Sequence, residues 1–148
     1  MSSSEDVVRE FYDHMDRGDA GRAAELFADD AINHGFRVGR EGVAAVLASL
    51  IQAFPDHRGE IIDLIAVDDV VACRITMTGT HQGTPDRPFV LGGLLADIPP
   101  TGKRIEVASQ HWFRVKKGEI IEHWAVRDDL EMGRQLGLLP KSSTRPAP

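Results

Sequence analysis

Ser109 and His111 alternate with Ile105, Val107, Phe113 and Val115 along the run Ile105 to Val115, while Glu106, Ala108, Gln110, Trp112 and Arg114 fill the intervening positions. Successive side chains of a strand point to opposite faces, so the first set is turned to the core. A hydroxyl and an imidazole placed there require a partner or a ligand, because an unpaired buried polar atom costs about 1 to 3 kcal/mol. Glu119 to Arg127 repeats the arrangement, with Ile121, His123 and Ala125 on one side and Glu122, Trp124 and Val126 on the other. If Lys117-Gly118 closes a short hairpin, His111 and His123 look inward together. Asn33 and His34, at the end of a short segment before Gly35, can face the same mouth, as can His81 at the end of the run whose inward set is Val71, Cys73, Ile75 and Met77. Neutral imidazoles titrate near working pH, and an amide with a hydroxyl can bind a carbonyl oxygen. Such a set suits proton abstraction next to a carbonyl. The competing reading is a hydrogen-bonded pair of core histidines without a catalytic role.

Carboxylates near this set are few. Asp128 and Asp129 end the last strand, where one can orient His123 or pair with Arg127; the other use is as cap of a following helix, which suits Asp129 better. Asp63 and Asp97 are further candidates whose directions the pattern leaves open. The histidines lack a metal-ligand spacing, and no metal or cofactor is expected. Trp112 and Trp124 fall together on the outer face, which predicts a homodimer through that face or, alternatively, an external helix covering it.

These side chains need elements to hold them. Ser2 to Ser4 followed by Glu5 and Asp6 make a helix start, since hydroxyls accept orphan amide protons and carboxylates suit the positive end of the dipole. Val7, Val8, Phe11, Tyr12 and Met15 then share one helical face. Gly18 ends this helix, and Asp19 caps a second with Ala23, Leu26 and Phe27 on its apolar face. A third carries Val43, Val46, Leu47, Leu50 and Phe54 before Pro55 stops it. From His57 the period changes to that of strands: Gly59 to Val67, Val70 to His81, Ile105 to Val115 and Glu119 to Arg127, with turns at Asp68-Asp69 and Lys116-Lys117-Gly118. Thr84 to Gly102, rich in proline and glycine around the apolar group Val90-Leu91 to Leu94-Leu95, reads as a long loop or lid. Asp129 to Leu139 is a short helix or turn. Helices followed by an antiparallel meander predict the α+β class: a curved antiparallel sheet wrapped around helices, its concave face closing on an internal pocket.

With 148 residues, one domain spanning 1–139 and a flexible tail over 140–148 are expected. The net charge of −6 disfavours nucleic acid as a partner. The polar, acidic start and the lack of long apolar runs predict no membrane segment and cytoplasmic residence. A single cysteine, Cys73, excludes an internal disulfide and is expected to be buried.

The stretches VVREFYDHMDRGD, ELFADDAINHG, AFPD, GTHQG, IPPTGKRIEV and FRVKKGEIIEHW together resemble the SnoaL-like polyketide cyclases and related ester cyclases, members of the nuclear-transport-factor-2-like superfamily. The resemblance runs from Val7 to about Leu138. It implies a cone-shaped fold, a place in secondary metabolism, and a polyketide-like or other bulky carbonyl substrate closed by an intramolecular aldol reaction. It places the family's histidine at His111 and its asparagine at Asn33, while the family's catalytic aspartate falls at Ala125 and a neighbouring glutamine at Ser109. The expected site is therefore His111 and His123 as bases assisted by Asp128, with Asn33, His34, Ser109, His81, Phe113 and Arg127 binding substrate. Two other readings remain. One is an epoxide-opening or hydroxylase-like enzyme on the same fold, which two carboxylates converging inside the pocket would favour; the other is a binding protein that has lost its base.

Overall fold

The computed structural model describes residues 2–85, Leu95 and 97–140. Helix α1 (Ser4–Asp16) starts on a capping box, the Ser3 hydroxyl accepting from the Asp6 amide and the Asp6 carboxylate from the Ser3 amide, and buries Val7, Val8, Phe11, Tyr12 and Met15. Helix α2 (Ala20–Glu25) is capped by Asp19, as its spacing predicts. Strands β1 (Phe27–Asn33) and β2 (Phe36–Arg37) follow, joined through His34 and Gly35, both at positive φ. Then come α3 (Gly39–Ala53), β3 (Arg58–Val67), β4 (Val70–Thr80), β5 (Arg104–Lys116), β6 (Glu119–Arg127) and α4 (Asp129–Gln135).

The strands form one curved, unclosed sheet in the order β2-β1-β6-β5-β4-β3. From β3 to β6 it is the expected antiparallel meander, and Lys117 and Gly118 both take the positive φ that a tight hairpin turn demands. The chain's α+β architecture is as read from sequence, with one addition: β1 lies parallel to β6, a joint no pattern in the sequence announced. Phe27 and Ala28 are both buried and Asp29 and Asp30 both exposed, and the register shifts between Phe27 and Ile32, so β1 carries no clean alternation.

A second irregularity corrects a face assignment. Val115 pairs with Ile120 but Arg114 with Glu122, leaving Ile121 as the extra residue of a bulge. Ile120, fully buried, takes the inward place expected of Ile121.

Helices α1 to α3 cover one end of the concave face over a core that includes Phe11, Tyr12, Phe27, Val43, Leu47, Val71, Ile75 and Phe113. A second cluster, with Phe54, Met77, Leu95, Ile105, Val107, Met132 and Leu136, fills the other end. Cys73 is buried, its thiol facing the Tyr12 hydroxyl at 3.9 Å. Of the expected lid, Val90, Leu91 and Leu94 lie outside the described residues, as do residues 141–148 of the expected tail. Among the described residues no helix is long and apolar enough to cross a membrane.

Candidate active site

The site follows from strand register. Ser109 pairs with Arg127, His111 with Ala125, and Phe113 with His123 across β5 and β6, so all six side chains share the helix-covered face. On the other flank of β6, Asn33 pairs with His123 in the parallel joint. The inward alternation read from sequence holds at Ser109, His111, Phe113, His123 and Ala125.

Four of these side chains form a continuous hydrogen-bonded chain. Ser109 Oγ lies 3.0 Å from His111 Nε2, His111 Nδ1 lies 2.9 Å from His123 Nε2, and His123 Nδ1 lies 2.9 Å from Asn33 Oδ1. The Asn33 oxygen can only accept, and that fixes every other role. His123 donates from Nδ1 and must accept at Nε2; His111 therefore donates from Nδ1 and accepts at Nε2 from the Ser109 hydroxyl. Each ring nitrogen is used once, as buried polar atoms require.

Both rings are neutral. Burial first, then the Arg127 charge and the neighbouring His34 and His57, push His111 from the ordinary 6.5 down to about 3. Burial, then His111 and His34, hold His123 well below its ordinary value. The walls explain the burial: Phe113 packs against His123 at 4.8 Å between ring centres, and Tyr12 meets the His111 ring edge-on at 5.8 Å. Yet Asn33, His34, His111, His123, Ala125 and Arg127 all keep some accessible surface, whereas Phe113 and Val115 are buried and Ser109 keeps only 5% of its surface. These partly accessible residues adjoin one another through the register of β1, β6 and β5 and make a polar strip, while the cavity bordering His111 and Ala125 is otherwise lined mostly by outer-face residues such as Arg74, Gln110, Trp112 and Trp124.

His34 belongs to this strip. Its ring meets those of His123 and Trp124, each at 5.8 Å, its amide donates to the His123 carbonyl at 3.0 Å, and burial and Arg127 lower its pKa. Arg127 joins it as a half-buried cation.

Other expectations are corrected. Asp129 pairs with Arg127, and Asp128 is the cap of α4, accepting the Glu131 amide at 3.1 Å. The helix begins at Asp129 as read, but the cap is the residue before it, Asp128, and not Asp129. Nor is Asp128 needed to orient His123, because His111 and Asn33 occupy both of its ring nitrogens. His81 lies past the far end of β4, while Cys73 is the β4 residue beside His111. It is buried against Phe54 at 5.8 Å, and its Nδ1 accepts the Thr101 amide, so it serves the second core cluster instead of the histidine chain. Asp63 is on the outer face with Arg74 at 2.6 Å, and Asp97 is exposed.

His57 is the residue that sequence reading missed. It is 8% exposed, its Nδ1 has no hydrogen-bond partner among the described residues, and burial lowers its pKa. It stands just after the turn that follows α3, where no alternation marks a direction; its place directly after the AFPD stretch was the one available signal.

A family profile described as SnoaL-like polyketide cyclase matches residues 5–136. The chain belongs to the SnoaL-like polyketide cyclase family. Among solved structures, this SnoaL-like chain is similar to IdmH of Streptomyces antibioticus, provisionally described as a polyketide cyclase, with 30% identity, a TM-score of 0.73, and 92% of this chain and 99% of that one covered. It is likewise similar to AclR of Streptomyces galilaeus, provisionally described as a hydroxylase, with 27% identity, a TM-score of 0.76, and coverage of 93% and 97%. A SnoaL-like polyketide cyclase of Agrobacterium tumefaciens shares the fold at 20% identity and a TM-score of 0.75, with coverage of 93% and 100%. Comparison with curated proteins gives no match. Ala125, where the sequence resemblance puts the family's aspartate, pairs with His111 and presents a methyl group to the site face.

Proposed function

We propose that this SnoaL-like protein performs cofactor-independent acid/base chemistry, an aldol-type ring closure or the proton abstraction that begins one, on a bulky, mainly apolar carbonyl compound. The observation that carries this reading is the 2.9 Å contact between His111 and His123 within a chain of fixed proton direction. His111 Nε2 carries an available lone pair once the Ser109 hydroxyl turns aside. A substrate C–H next to a carbonyl then gives its proton to Nε2, while Nδ1–H stays on His123 and the ring keeps its orientation. A neutral buried imidazole is a weak base, and its proton is held best when the enolate oxygen forms close by in the same low-dielectric space. Arg127 acts in both directions: its charge lowers the basicity of His111 and stabilises the enolate. General-base catalysis of this kind contributes about two to four orders of magnitude in rate. In this reading the substrate approaches along the partly accessible strip that runs from the exposed His34 to Arg127.

The test is exchange of the α-proton of a panel of aryl ketones and β-keto esters in D2O, followed by NMR. Exchange by the parent protein and its loss in His111→Ala and His123→Ala support the reading; equal exchange in all three overturns it. Ala125 favours a second reading, a small-molecule-binding protein without turnover, for which binding of the same compounds without exchange is the expected result. Similarity to AclR keeps a hydroxylase-like activity as a third reading, whereas the outward placement of Asp63 and Asp97 removes support from epoxide opening. We also propose a single domain over 1–139, cytoplasmic residence, no nucleic-acid partner for a chain of net charge −6, and a homodimer through the outer face. Supporting the dimer, Trp112 and Trp124 are register partners 45% and 44% exposed, beside Ile65 and Val126 at 67% and 77%.

A further inference from the structure

We propose that Ser109 is a nucleophile and that the same four residues cleave carboxylic esters of bulky, mainly apolar acids through an acyl-serine intermediate. An activated serine is a hydroxyl within about 2.6 to 3.2 Å of a base that a third group orients. Here the base is His111 at 3.0 Å, the orienting group is His123 at 2.9 Å, and Asn33 at 2.9 Å holds that group in its tautomer. The direction of the protons singles out the serine. Both nitrogens of each ring are engaged within the chain, so the atom left with lone pairs to offer a ligand at its inner end is Ser109 Oγ.

One group can meet the charge that develops: Arg127, which is paired with Asp129, stands across the β5–β6 ladder from Ser109 on the same face. Donors already in place around a developing oxyanion, away from water, make the largest contribution to acyl transfer.

The steps balance without a cofactor. Ser109 Oγ bonds to the ester carbon as its proton passes to His111 Nε2, and the carbonyl oxygen becomes the anion. The intermediate collapses, the C–O bond to the alcohol breaks, and the alcohol leaves with the proton from Nε2. Water then attacks the acyl-serine, giving its proton to Nε2, and the acid departs as Ser109 recovers its hydrogen. The net reaction is ester plus water to acid plus alcohol.

This activity goes beyond the carbon-acid chemistry proposed above, since His111 takes its proton from oxygen, and its readout is separate. The full chain is treated with diisopropyl fluorophosphate, which loses fluoride to an activated serine, and is then mapped by peptide mass spectrometry. One diisopropylphosphoryl group on Ser109, absent in Ser109→Ala and formed at least about 100-fold more slowly in a folded His111→Gln, supports the proposal. An unmodified Ser109 in the parent protein, or an adduct that persists in Ser109→Ala, overturns it, and this holds whether or not the variants fold. A burst of p-nitrophenolate from p-nitrophenyl butyrate, stoichiometric with Ser109, is the matching result with an ester. Serine left unlabelled beside active α-proton exchange removes this inference alone.

Discussion

The side-chain oxygen of Asn33 faces Nδ1 of His123 at 2.9 Å across the parallel joint of β1 and β6. That one acceptor decides where three protons sit, because each donor downstream follows from it: Nδ1 of His123, Nδ1 of His111 and the hydroxyl of Ser109. The amide is uncharged, so it directs the chain without making either imidazole more basic.

Replacing the amide by a carboxylate keeps the direction and changes the strength. Asn33→Asp is expected to raise the pKa of both rings, since an adjacent anion favours their charged forms. A gain in basicity of about one pKa unit, about 1.4 kcal/mol, is expected to quicken α-proton exchange severalfold, because the proton is only partly transferred in the transition state. Asn33→Leu leaves His123 Nδ1–H unpaired and costs about 1 to 3 kcal/mol of stability. Histidine ring shifts followed by NMR titration check the first expectation, and urea unfolding the second.

Burial of neutral histidines has a signed consequence for stability. His111 binds its proton at about 3 when folded and at the ordinary 6.5 when unfolded. Between those values the unfolded chain holds more protons, so its contribution is complete above about pH 6.5 and is lost progressively as pH falls toward 3. At pH 5 the loss from His111 amounts to about 2 kcal/mol, and His123, shifted in the same direction, adds to it. Urea midpoints measured at pH 7.5 and pH 5 are expected to fall on acidification, and less so in a folded His111→Phe variant.

The methyl group of Ala125 stands opposite His111, where paired Cβ atoms lie about 5 Å apart. Ala125→Asp puts a carboxylate within reach of the ring, and the predicted outcome is a His111 that titrates well above its parent value and an α-proton exchange at least about tenfold faster. Unaltered exchange together with an unaltered His111 titration would show that the side chain at 125 does not communicate with the base.

On the outer face, the paired indoles Trp112 and Trp124 test the proposed dimer. Trp112→Ser with Trp124→Ser is expected to halve the mass seen by light scattering while leaving the far-ultraviolet circular dichroism unchanged, since both rings are outside the core. An unchanged mass contradicts a dimer formed through this face.

Legibility in the sequence tracked the regularity of the backbone. In β4 and β5 an unbroken alternation told correctly that Val71, Cys73 and Ile75, and Ser109, His111 and Phe113, point inward. In β6 the bulge at Ile121 reversed one assignment but spared His123 and Ala125, which lie beyond it. Strand β1 was illegible because its neighbours pair off as buried Phe27-Ala28 and exposed Asp29-Asp30. His81 shows a different limit: alternation gives the face of a side chain, not its distance along the strand from a partner. His57, set just after a turn, had no period to reveal it, and Asp128 and Asp129 exchanged roles because a cap and the first helical residue differ by one position that composition alone does not fix.

Asn33 and His123 stand 90 residues apart, yet one bond between them completes the polar chain. A ribosome therefore releases the acceptor long before the ring it must meet, and contacts of such separation close late. A nascent chain with the hairpin of β5 and β6 formed and β1 undocked would hold two imidazoles whose protons have no preferred direction. Chemistry at this centre thereby reports that the first strand has found the last, and a chain cut short before β6 lacks His123, the link between the Asn33 acceptor and the His111 ring.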